Sequence, residues 1–166
     1  MEDNRTLTGI SKYLFPHYFK FIGLVLALAG AIFSYIRFGL GIKPDFLDTK
    51  VFAIHAVYFK TSYFTHISNN ISEEIAGVFL LAGLFFIAFS KEKTESPHYW
   101  LLRLKALLIA VYLNTAIVFL AFIFIYGMSF AAVMVINLFG LLVFYNIAYF
   151  VLLYLNKRNS LPASIL

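Results

Sequence analysis

His55, His66, Glu73 and Glu74 are the residues of this chain whose types and proximity could do chemistry: two imidazoles and two carboxylates within one short stretch. Brought together, they would offer a zinc ion its three or four donors, or a reaction an acid–base pair. The spacing argues against both. No His-Glu-x-x-His pattern places two imidazoles on one helical face. Asn70 to Glu73 instead has the spacing of a helix-capping box, with Asn in place of Ser or Thr, so that Asn70 accepts from an early backbone amide and Glu73 reaches back. Glu73 and Glu74 would also meet the positive end of a helix dipole. The expectation is an outer-surface polar cluster with no catalytic residue, no metal and no cofactor. The chain has no Cys, which excludes disulfides, thiolate metal sites, iron–sulfur clusters and thiol catalysis. His17, His55, His66 and His98 all fall outside the apolar runs, which excludes an intramembrane haem held by two histidines.

The elements that must carry these residues are membrane spans. Residues 106–156 contain no Asp, Glu, Lys or Arg, a run about twice the roughly 20 residues one crossing needs. Gly127, Met128 and Ser129 lie near its middle, where a tight turn would fold it into a helical hairpin. The composition agrees: 62% hydrophobic and 13% charged, with 20 Phe and 11 Tyr, against roughly 25% charge in soluble domains. We read one all-α membrane domain over residues 1–166, with spans at about 18–40, 71–89, 100–126 and 130–155. The second span is short, and is expected either to thin the bilayer locally or to sit between the other helices. Ala27-Leu28-Ala29 resembles a signal-peptidase site, but apolar sequence continues through Ile36 and Glu2 and Asp3 precede it, so an uncleaved anchor is expected.

Charge sets the orientation. Arg5, Lys12, Lys20, Lys91, Lys93, Arg103, Lys105, Lys157 and Arg158 fall on one side, and Arg37, Lys43, Lys50 and Lys60 on the other. The excess places both termini in the cytoplasm. Lys20 and Arg37 can snorkel toward opposite interfaces. The net charge of +5 is scattered at span ends rather than gathered into a recognition patch. Anionic lipid headgroups are therefore the expected partner, and nucleic acid is not.

The first connection, residues 39–70, is too aromatic for an ordinary loop. Lys50 to Phe59 and Ser62 to Ile67 are rich in aromatic and β-branched residues, with Lys60 and Thr61 between them. A small extracytoplasmic β-hairpin is expected, lying on the bilayer or capping the bundle. The turn lacks Asn-Gly or Asp-Gly, which leaves an interfacial helix as the alternative. At the far end of the second span, Lys91 and Glu95 have i,i+4 spacing if the helix continues.

Three stretches, Glu74-Ile75-Ala76-Gly77, Phe89-Ser90-Lys91-Glu92-Lys93-Thr94-Glu95 and Val111-Tyr112-Leu113-Asn114, resemble a group of uncharacterised small four-span bacterial inner-membrane proteins. The resemblance implies a bacterial inner membrane and carries no activity or site residue with it. It also argues against use of the formal glycosylation triplet Asn70-Ile71-Ser72.

Inside the spans the informative residues are small or amide-bearing. Gly23, Ala27, Gly30, Ala31 and Ser34 fall within about 100° of the helical wheel, a ridge that lets another helix approach closely. The ridge would serve packing within the bundle or, alternatively, a homo-oligomer or a larger membrane complex. Arg103, Ala106, Ala110, Asn114, Ile117 and Ala121 share a face of the third span. Asn114 matches Asn137 of the fourth in depth, while Asn146 faces another way. The span interiors offer no ionisable group at mid-depth, which disfavours a proton-coupled transporter. The expectation is a non-enzymatic accessory or structural component acting through helix packing. A small oligomeric transporter or channel is the first alternative, and a membrane enzyme with an outer-surface site the second.

Overall fold

The computed structural model describes residues 11–57, 61–93 and 97–159. Four helices are each long and apolar enough to cross a membrane: α1 (Tyr18–Ser34), α2 (Ser72–Phe89), α3 (Pro97–Phe124) and α4 (Met128–Asn159). A π-helical segment, Tyr35–Gly39, extends α1. Pro97 opens α3, where its missing N–H costs nothing, and Lys157 and Arg158 sit in the last turn of α4, where they suit the negative end of the dipole. Gly127, with φ of +67°, makes the sharp turn between α3 and α4, and Phe130 N–H donates to its carbonyl at 3.1 Å. Only a residue without Cβ adopts that backbone readily.

Between α1 and α2 stands the hairpin, β1 (Asp48–Val57) and β2 (Thr61–Asn70), paired antiparallel from Asp48 opposite Asn70 to Val57 opposite Thr61. Thr61 belongs to the second strand rather than to the turn, and Lys60 lies outside the described residues. The pairing starts two residues before Lys50 because Asn70 Nδ2 donates to Asp48 Oδ1 at 2.7 Å and to the Pro44 carbonyl at 2.9 Å.

α1 runs antiparallel along α2, and α3 antiparallel along α4; the two helical hairpins join through α2 and α4, which run parallel. The short second span therefore sits between others, and more of it is buried, 28%, than of any other span. The core gathers at one end, where Ala88, Leu102, Ala106, Ala110 and Ala148 surround Tyr145 and Tyr149. Alanine there is physical economy. Lipid is as apolar as leucine, so helices associate through close packing rather than through burial of apolar surface. The outward faces carry the large residues, such as Phe119, Phe122, Leu138 and Phe150.

α2 ends at Phe89, and Ser90 is extended. The helix thus ends where the expected span of about 71–89 ends, so the condition for an i,i+4 pair of Lys91 with Glu95 is not met: Lys91 has left the helix, and Glu95 lies outside the described residues. The cause is a short parallel bridge in which Phe15 N–H donates to the Phe89 carbonyl and Lys91 N–H to the Phe15 carbonyl, each at 2.9 Å.

Candidate functional site

The small-residue ridge of α1 meets α2. A Cβ added to Gly23 would stand 2.8 Å from the Gly83 carbonyl oxygen, one on Gly30 2.8 Å from Leu80 Cα, and one on Gly83 2.6 Å from Ala27 Cα. These are backbone distances, so the two helices touch main chain to main chain. Ala31 is exposed and Ser34 half-buried, so the contact uses the Gly23, Ala27 and Gly30 part of the ridge. Both ends of this helical hairpin are latched by charge. Lys20 Nζ donates to Glu92 at 2.5 Å, and Arg37 pairs with Glu73. The two cations reach carboxylates of the neighbouring chain segment, one at each end of the α1–α2 pair.

Asn137 Nδ2 donates to Asn114 Oδ1 at 3.0 Å, joining α4 to α3. Gly140 makes room, since a Cβ there would lie 2.8 Å from Asn114 Oδ1. Asn146 turns to α2 and donates to the Leu84 carbonyl at 3.1 Å. On α3 the face expected from the helical wheel is buried at Arg103, Ala106, Ala110 and Ala121, while Ile117 departs from it at 45% exposed.

Arg103 is the most consequential residue of the opposite end. Only 4% exposed, it donates through Nη1 to the Ala88 carbonyl at 3.0 Å and through Nη2 to the Ser90 carbonyl at 2.8 Å. It thereby caps the C-terminus of α2 with a cation, where the helix dipole is negative and carbonyls lack partners. Its guanidinium carbon lies 4.7 Å from the centre of the Tyr149 ring, a cation–π contact that offsets part of the cost of burying the charge. His17 Nδ1 donates to the Lys91 carbonyl at 3.0 Å, and His98 lies 2.9 Å from Asn156 Oδ1. One end of the molecule is thus knotted together from all four helices.

At the other end the structure separates the expected polar cluster. His55 stacks on Tyr63 with ring centres 4.9 Å apart, and His66 meets Phe52 edge-on at 5.5 Å. Each imidazole is thus part of its own cross-strand aromatic pair. Asn70 Oδ1 accepts from Ser72 N–H at 3.2 Å, the early-amide contact, and from Ser72 Oγ at 2.5 Å. Glu73 does not close the capping box: it turns to Arg37, because a charged partner is within reach, and Asn69 Nδ2 donates to Glu74 at 2.9 Å. The adjacent carboxylates therefore have different surroundings. Among the described residues no group of three or more His, Asp or Glu is placed to hold a metal ion. His55 and Glu74 do share the wall of one cleft of about 780 Å³ between the hairpin and the first two turns of α2, with Phe52, Ile75, Val78 and Phe79.

Sequence reasoning passed over Gly83, and it placed Arg103 on the shared face of α3 without finding its role as a cap. Arg103 reads as one more cytoplasmic charge, and its signal is that it begins an otherwise alanine-rich face. Gly83 has one too: it stands seven residues after Ala76, on the same side of α2, the spacing of a small-residue seam. No known family model, curated protein or solved structure matches this chain.

Proposed function

We propose that this chain is a non-enzymatic accessory component of a bacterial inner membrane, with both termini in the cytoplasm, acting through helix packing. One observation carries the reading: three amide side chains and one guanidinium of the described spans bind neighbouring helices. Asn114 and Asn137 meet each other, Asn146 meets α2, and Arg103 caps it. A conducting or transporting path needs polar groups aimed at a lumen, and these are used for cohesion. Large apolar side chains on the outer faces of α3 and α4 suit lipid or another membrane protein. The basic residues at the knotted end suit anionic headgroups and a cytoplasmic location.

The test is extraction of the tagged chain from native membranes in mild detergent. The expected result is a second membrane protein at fixed stoichiometry. A homo-oligomer without any other protein would favour the small transporter or channel, and a lone monomer would overturn the accessory reading.

A further inference from the structure

The cleft under the hairpin is lined mainly by apolar side chains, with His55, Asn69 and Glu74 as its polar members and Glu74 as its one carboxylate. Its walls are Phe52, His55 and Ile67 from the strands and Ile75, Val78 and Phe79 from α2, with Glu74 beside Asn69. At about 780 Å³ it falls within the roughly 300–1,000 Å³ of ligand pockets, which combine apolar walls with few polar groups. Val78, part of its lining on α2, is 62% exposed. The cleft is thus open sideways at the depth of the first two turns of α2, where a molecule dissolved in the outer part of the bilayer could enter.

The two neighbouring carboxylates differ in what they have left to offer. Glu73 is paired with Arg37 and does not line the cleft. Glu74 lines it and receives one neutral amide donor, from Asn69 Nδ2. An ionised carboxylate has about four lone-pair sites, so one amide leaves both charge and acceptor capacity available. We propose that this cleft binds a bilayer-borne amphiphile with a protonated amine as its head, the ammonium on Glu74 and the apolar tail along Ile75, Val78 and Phe79. The geometry of the ligand follows from the geometry of the wall. Glu74 stands in the first turn of α2, and the apolar lining of Ile75, Val78 and Phe79 follows it along the helix.

The positive end of α2 lies nearby and favours anions, so the sign of the ligand is the discriminating observable. The protein in phosphatidylcholine nanodiscs is titrated with decylammonium, decanol and decanoate, three probes of equal chain length, and saturable shifts in thermal midpoint are read. Decylammonium should bind most tightly. Glu74→Gln keeps an oxygen for Asn69 and removes the charge, and should weaken decylammonium about fivefold, toward decanol, as expected for a partly exposed ion pair. Glu73→Gln should leave the preference intact, and unliganded midpoints of both variants report whether they fold. Equal binding of the three probes, a preference for decanoate, or equal weakening by the two variants would overturn the proposal.

Discussion

Replacing Gly83 by Ala adds one methyl group where α1 and α2 touch, and its cost follows from the distances. The new Cβ would lie 2.6 Å from Ala27 Cα and 2.7 Å from the Gly23 carbonyl oxygen, against 3.4 Å for ordinary contact. Ala27 N stands closer still; all three obstacles are main chain, so no rotamer relieves them and the helices must separate by about 1 Å at the crossing. Overpacking of this kind costs about 1–3 kcal/mol. Gly77, on the same helix, is the internal control: a Cβ there meets Phe139 Cζ at 4.0 Å, a comfortable distance. Both substitutions gain the same helical preference of alanine over glycine, about 0.5–1 kcal/mol, so the difference between them isolates the contact. Thermal unfolding in detergent should therefore show Gly83→Ala below wild type and Gly77→Ala at or above it. If the two variants shift alike, α1 and α2 do not cross at Gly83 and the proposed arrangement of the helices is wrong.

The Asn114–Asn137 bond is measured by a double-mutant cycle. Each Leu substitution should cost about 1 kcal/mol, with a coupling of about 0.6 kcal/mol between them; strict additivity would show that the amides do not meet in the membrane. Arg103→Lys keeps the charge but cannot span the Ala88 and Ser90 carbonyls with a rigid fork. It should lose about 1.5 kcal/mol, the low end for a hydrogen bond to a charged group, read as a lower unfolding midpoint, and unchanged stability would refute the capping role. Accessibility reporters at Leu166, Lys93 and Lys50 should find the first two in the cytoplasm and the third outside. Lys93 reached from outside while Lys50 is protected would invert the orientation. Protein purified without metal-affinity resin should carry no stoichiometric zinc by elemental analysis, and about one zinc per chain, lost in His66→Ala, would restore the outer cluster as a metal site.

The sequence by itself determined the four spans. A charge-free run such as residues 106–156 has no soluble alternative, and in lipid the backbone must satisfy its own hydrogen bonds, which leaves helix as the outcome. Aromatic and β-branched alternation between α1 and α2 was legible for the same local reason, although the turn chemistry left hairpin and interfacial helix open until the Asp48 to Asn70 pairing closed the question. The small ridge of α1 could be read because a helix repeats every 3.6 residues. Its partner could not, because a wheel shows which side of a helix is small and never what approaches it. Tertiary structure alone decided that Gly83 completes the crossing, that α2 lies between α1 and α4, and that Glu73 prefers Arg37 to the helix start while Glu74 remains in the cleft. It alone turned Arg103 from a surface charge into a buried cap. In each case the deciding quantity is a free energy between groups far apart in the chain: a close backbone approach, a charge finding its counter-ion, or a carbonyl finding a donor. Local residue types and spacing do not encode it.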